Sequence, residues 1–134
     1  AAVYGAGASR AVKEPCKCAV IWGGNPAEAF ACIFPQHIKA KRKGTRYIVI
    51  DPKYSETAAR LADHWLRLRP GNDAALALGW LNVIIEENIY DQDFVKNWCY
   101  GFDDLKKRIK QYPPEKVAEI TRVPPEQIVQ TARL

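Results

Sequence analysis

Residues 20–30 read VIWGGNPAEAF, an apolar strand that runs straight into Gly23-Gly24-Asn25-Pro26. Taken with the two residues before it, CAVIW (18–22) is a continuous apolar run. Such a run is the mark of a strand buried on both faces. Pro26 can open a helix, where its missing N–H costs nothing. A strand, a glycine turn and a helix start in so few residues raise a sharp question. The turn is either only a turn, or a place where something must approach the backbone.

Reading outward, AEAFACIFPQHIKAKRK (27–43) is expected to be helical up to Gly44, with a kink or break at Pro35. Arg46–Ile50, RYIVI, is a second buried strand. Asp51-Pro52 ends it, and SETAARLA (55–62) follows as a short helix with Ser55 as N-cap. Trp65–Leu68 reads as a short third strand. Pro70-Gly71-Asn72-Asp73 reads as a turn whose last residue caps the next helix. That helix, Ala74–Glu87, is apolar nearly all round and is expected to be well buried.

After Asn88 the character changes. Asp91–Trp98, Phe102–Gln111, Glu115–Thr121 and Pro125–Leu134 each look like a short amphipathic helix, punctuated by Pro113-Pro114 and Pro124-Pro125. Asp91, Thr121 and the first-turn prolines supply helix-start chemistry. The expectation is one α/β domain over residues 1–134: a β-α-β core to residue 88 and a helical appendage from 89 to 134. The fold class is a Rossmann-like three-layer sandwich with a short, mostly parallel sheet and a helical C-terminal segment.

Composition sets outer limits. With 134 residues the chain can bury a real core, and its four Trp add bulk. No apolar run reaches the ~18 residues of a membrane span. The opening AAVYGAGASRAVKEP has no basic region followed by an apolar core, so no signal peptide is expected. Met is absent throughout, which suits a piece of a longer polypeptide.

The net charge is +5, much of it in Lys39–Arg46. A basic run can bind nucleic acid or a membrane surface. Here it ends a helix, where cations oppose the negative carbonyl end and Gly44 supplies the cap. Nucleic acid is therefore not expected as a partner, nor membrane insertion. The four cysteines are Cys16, Cys18, Cys32 and Cys99. C-x-C without a second pair, and with His37 and His64 far apart, does not make a structural zinc site. Cys32 lies on an apolar stretch and is expected to serve packing.

In parallel sheets ligands sit outside the carboxyl ends of the strands. Three loops fall there: Gly23-Gly24-Asn25-Pro26, Asp51-Pro52-Lys53, and Arg69–Asp73. Gly23 and Gly24 have no Cβ, so an anionic group can approach their N–H groups, and the following helix adds its positive end. Asn25 can donate to a phosphate or cap the helix. Asp51 stands where such folds place an acid for ribose hydroxyls, and Lys53 can reach a phosphate. Asp73 can cap its helix or accept two hydrogen bonds from a guanine edge. The glycines match neither G-x-G-x-x-G nor a P-loop, and each loop alone would pass as a turn. Together they point to a nucleotide-like ligand.

The combination WGGNPAEA (22–29) with IVIDPKYSETAARLADHWLRLRPGNDAALALGWLNVIIEENIYDQDFV (48–95) strongly resembles the molybdopterin oxidoreductase family of the dimethyl sulfoxide reductase type. That family includes formate dehydrogenases and nitrate reductases. The resemblance covers residues 18–134 and implies an internal domain of a longer enzyme that is not catalytic alone. It implies molybdenum or tungsten held by molybdopterin guanine dinucleotide, this segment holding one guanosine and its phosphates. By position it assigns Trp22, Gly23, Gly24 and Asn25 to the first cofactor loop, and Asp51, Pro52 and Lys53 to the second. Gly71, Asn72 and Asp73 form the third, with Asp73 at the guanine edge. Lys53 stands where members often have Arg, which keeps the charge and loses the planar fork. No catalytic residue and no metal ligand is assigned here, and a 4Fe–4S cluster is expected elsewhere in the parent chain. The implied partners are the other domains of that chain, with an electron-transfer subunit as a further one the resemblance allows. A free-standing nucleotide-binding module and a basic interaction domain built on residues 39–46 stay open beside this reading.

Overall fold

The structure, a computed structural model, describes residues 16–134, so the stretch read for a targeting signal lies outside the described residues. In chain order it contains β1 (Cys18–Trp22), α1 (Pro26–Ala29), α2 (Phe34–Arg42), β2 (Arg46–Ile50), α3 (Glu56–Leu61), β3 (His64–Leu66), α4 (Asp73–Glu86), α5 (Gln92–Trp98), α6 (Phe102–Ile109), α7 (Pro114–Thr121) and α8 (Pro125–Ala132). This is the expected mixed α/β fold. The chain packs as two compact units, one ending at Trp65 and one running from Leu66 to Leu134.

In the first unit, β1 and β2 pair in parallel, with Cys18 opposite Arg46 and Trp22 opposite Ile50. The sheet order is β1-β2-β3, so β2 is central. Its Tyr47, Ile48, Val49 and Ile50 are fully buried. β1 is different. Val20 is 47% exposed, so burial on both faces holds for β2 and fails for β1. A short apolar run does not distinguish a central strand from an edge strand with one side open to solvent. Phe34, Tyr47 and Leu61 form the core of this unit, with Ala19, Ile21, Ala27 and Ile38 packed on it.

The expected long helix is two helices. The break falls at residues 30–33, upstream of Pro35, which sits in the first turn of α2. There its ring meets no preceding helical carbonyl and its missing N–H is no loss. At the other end Gly44 takes φ +97°. Its N–H reaches Lys41 O at 2.9 Å and Thr45 N–H reaches Ala40 O at 3.1 Å, the paired bonds of a Schellman cap. Lys41, inside the basic run, points its Nζ at Asp63 Oδ1, 2.8 Å away. Asp63 in turn accepts from Tyr47 N–H through Oδ2 at 2.7 Å and sets the start of β3. Burial works to raise the Asp63 pKa, but the Lys41 ammonium and the Tyr47 N–H outweigh it and hold the carboxyl below its usual value. Ser55 caps α3 as expected, accepting from Ala58 N–H. Cys32 is exposed, so it does not serve packing. It lies in the turn that separates α1 from α2.

The second unit is built on α4, which packs against α6, α7 and α8. Gly79 lets α7 come close: a Cβ there would stand 3.0 Å from both methyls of Val117. Buried Asn82 donates through Nδ2 to Ile109 O at 3.0 Å and so satisfies a carbonyl at the end of α6. Arg133, after α8, grips Glu87 at the end of α4 with Nε and Nη2. Asp91 caps α5 by accepting from Phe94 N–H at 2.8 Å. Thr121 ends α7 rather than starting the next helix. Its buried hydroxyl donates to Val117 O at 2.7 Å and accepts from Val123 N–H at 3.2 Å. Among the described residues no helix is long and apolar enough to cross a membrane.

Candidate functional site

The register of β1 and β2 places their carboxyl ends level, Trp22 beside Ile50. The two loops that follow are therefore neighbours, and a direct bond joins them: Gly23 N–H donates to Ile50 O at 2.9 Å. That bond also removes Gly23 N–H from any ligand. Gly23 adopts φ +61°, the left-handed turn that glycine tolerates best, and nothing lies within 4 Å of where a Cβ would stand. Its role is to turn the chain. Gly24 and Asn25 N–H, by contrast, have no partner among the described residues.

The positive helix end expected behind this loop is weak. α1 is a single turn, Pro26–Ala29, too short to accumulate much of a dipole. Its first-turn donors are also occupied. Ala27 N–H donates to Thr57 Oγ1 at 3.0 Å, and Glu28 and Ala29 N–H both go to Asn25 O.

Asn25 precedes α1 but its side chain does not cap it. Instead Asn25 Oδ1 accepts from Thr57 Oγ1 at 2.6 Å. The carboxamide Nδ2 has no partner among the described residues. Trp22 is half-buried at the end of β1.

The second loop is an Asx turn. Asp51 Oδ1 accepts from Lys53 N–H at 2.8 Å across Pro52, whose fixed φ favours the turn. One carboxylate oxygen thus shapes the loop and the other stays available. The Lys53 side chain is exposed. Trp65 Nε1 holds the Asp51 carbonyl at 2.9 Å, and Tyr54 lies edge-on to Trp65, ring centroids 4.8 Å apart.

The structure therefore brings together Trp22, Gly23, Gly24 and Asn25 with Asp51, Pro52 and Lys53. Gly71, Asn72 and Asp73 stand in the second unit as a turn of their own. Gly71 takes φ +83°. Asn72, not Asp73, is the N-cap residue of α4, and Asp73 is its first helical residue. Asn72 Nδ2 folds back onto Arg69 O at 3.1 Å and Pro70 O at 3.4 Å, so this side chain shapes the turn. The Asp73 residue is exposed.

Thr57, Trp65 and Tyr54 did not stand out in the sequence. Thr57 had a signal: with Ala58 and Leu61 it occupies the inward face of α3, where a hydroxyl must find partners. The donor set suits a phosphorylated nucleoside. Gly24 N–H, Asn25 Nδ2 and Lys53 Nζ offer hydrogen to anionic oxygens, and the second Asp51 oxygen offers a lone pair to a hydroxyl.

Comparison with known proteins gives a consistent result. A family model described as molybdopterin oxidoreductase matches residues 13–131. An acetylene hydratase of Syntrophotalea acetylenica is 55% identical over 82 residues, 61% of this chain and 11% of that protein. The alpha subunit of F420-dependent formate dehydrogenase 1 from Methanococcus maripaludis is 38% identical over 121 residues, 90% of this chain and 18% of that one. The solved structure of acetylene hydratase from Pelobacter acetylenicus superposes with a TM-score of 0.80 at 42% identity, covering 87% of this chain and 16% of that structure. The chain thus spans less than a fifth of the length of these relatives.

Proposed function

Because the chain belongs to the molybdopterin oxidoreductase family, we propose that it is the segment holding the guanosine and phosphate part of a molybdopterin guanine dinucleotide. The observation that carries this reading is the pairing of the two loops at the level ends of β1 and β2. There the Gly24 N–H and Asn25 carboxamide of one loop lie beside a loop that carries exposed Lys53 and an Asp51 carboxylate using one oxygen on its own turn.

Each residue then has a defined task. Gly23 turns the chain and joins the loops. Gly24 N–H, Asn25 Nδ2 and Lys53 Nζ bind phosphate oxygens. The free oxygen of Asp51 accepts from a ribose hydroxyl, and Pro52 keeps that loop in its turn. Trp22 flanks the ligand. Gly71 and Asn72 shape a third loop that presents Asp73 to the adjacent donors of a guanine edge. Bound in this way, the cofactor supplies a molybdenum or tungsten centre for two-electron or hydration chemistry, while this segment supplies binding and orientation. Relatives named as formate dehydrogenase and acetylene hydratase put both chemistries within reach of the parent enzyme. The remaining domains of that enzyme complete the site. A 4Fe–4S cluster and an electron-transfer subunit belong to the same proposal.

The test is a titration of GDP and GMP into isotopically labelled chain, followed through backbone amide shifts. With half of the natural ligand missing, a Kd of about 1 mM is expected, about −4 kcal/mol. Shifts should concentrate in residues 22–25, 51–53 and 71–73. Shifts confined to residues 39–46 would mean charge attraction to the basic run and would contradict the site.

A further inference from the structure

An asparagine just before a helix ordinarily turns its side-chain oxygen onto the helix's second or third N–H. Asn25 does not. The donor it would satisfy, Ala27 N–H, is satisfied instead by Thr57 Oγ1 from α3, at 3.0 Å. The same hydroxyl donates its proton to Asn25 Oδ1 at 2.6 Å. Thr57 is 0% exposed, so no water competes for either bond.

The orientation follows from counting protons. A threonine hydroxyl has one proton to give. An amide N–H can only donate, so Thr57 is the acceptor toward Ala27. Its own proton has no other acceptor among the described residues, so it goes to Asn25, and the atom receiving it is the oxygen of the carboxamide. The nitrogen is then on the outer side of the group. A freely rotating carboxamide would present oxygen or nitrogen alike, and oxygen would repel an anion.

We infer that Thr57 is the positioning residue of the first loop: its hydroxyl replaces Asn25 as the cap of α1 and locks the Asn25 carboxamide with Nδ2 outward, as a donor to a phosphate oxygen of the dinucleotide. The link spans 32 residues of sequence. α3 begins just after the second loop, so the tie also couples the two loops through one buried side chain. The ligand named here rests on the function proposed above; the orientation of the carboxamide does not.

Two readouts separate those parts. The first is the Asn25 side-chain NH2 resonance pair in labelled chain. Thr57→Val should move it toward the positions of exposed Asn97, and Thr57→Ser should restore it. If the pair stays in place in Thr57→Val, the inference is wrong whatever the cofactor does. The second is molybdenum or tungsten and pterin content of the complete polypeptide carrying this segment. Thr57→Val should lower retention to the level of Asn25→Ala, with no further loss in the double variant. A further, additive loss would show that Thr57 acts on the fold and not through Asn25, and would overturn the inference. Should Thr57→Val fail to fold, Thr57→Ala serves, read by the same resonance pair and by retention against Asn25→Ala, with the same outcomes for and against the inference. If the resonance pair moves but Asn25→Ala retains cofactor fully, the first-loop assignment in the proposed function fails, and the ligand named here fails with it.

Discussion

His37 and Tyr47 form a closed buried pair in the first unit. His37 Nδ1 lies 3.2 Å from Tyr47 Oη, and Tyr47 Oη donates to the His37 carbonyl at 3.3 Å. The geometry suits a neutral ring whose Nδ1–H points at the phenol oxygen. Burial pushes the Tyr47 pKa up to about 12 and lowers that of His37. Unfolded histidine titrates near 6.5, above the folded value. As pH falls past about 6.5 the unfolded chain takes up a proton that the folded chain resists, so stability declines. Asp63, whose folded pKa is depressed, adds a further loss at lower pH, below the ordinary carboxylate value. Urea midpoints should therefore be flat from pH ~7 to ~8, fall below pH ~6.5, and fall again above pH ~10, where unfolded Tyr47 ionises and folded Tyr47 does not. In His37→Leu, Tyr47 keeps its backbone acceptor and the first part of the decline should flatten. A midpoint that rises on acidification would contradict the assignment.

At the scale of elements, the contact between α4 and α7 depends on one missing methyl. Glycine inside a helix costs about 1 kcal/mol relative to alanine. Gly79→Ala should therefore stabilise, were Val117 not 3.0 Å from the new Cβ. Val117 is fully buried and β-branched, so its χ1 has little freedom to yield. Overpacking of this kind costs ~1–3 kcal/mol. The net expectation is a loss of about 1 kcal/mol in denaturant unfolding. Adding Val117→Ala should make the Gly79→Ala change favourable. A stabilised single variant would show that α7 shifts without penalty.

Element identity was largely legible in the sequence. RYIVI could only be a strand, Gly44 could only end a helix tidily, and Asp91 and Ser55 are caps by chemistry. What was not legible depended on neighbours. The sequence of β1 does not reveal that Val20 faces solvent, because the same run suits a covered strand. Pro35 marked an interruption but not that the turn falls ahead of it. The exposure of Cys32 follows from that turn. α1 looked like the start of a long helix with a useful dipole, and its single turn removes that contribution. In the candidate site, the place of Asp51 directly after β2 was readable. The occupation of Gly23 N–H and the grip of Thr57 on Asn25 were not, since both depend on residues far along the chain.

For the whole molecule, the chain is a segment of the molybdopterin oxidoreductase family's fold. Most of the net charge of +5 needs no ligand to explain it. Lys39, Lys41 and Arg42 close α2, and Lys41 is tied to Asp63. The segment's task in this view is to hold and orient, which is why the residues that matter are turn-formers, a carboxamide and two acids rather than a nucleophile or a base. The most direct measurement is the guanine released by acid hydrolysis per molecule of the complete polypeptide, taken with its metal and pterin content. The expected result is guanine in step with pterin, with both reduced in Asp51→Ala and in Asp73→Ala while the cofactor-free chain of each variant still folds cooperatively. Pterin and metal present without guanine, or content unaltered in both variants, would contradict the claim that these loops hold a guanine dinucleotide.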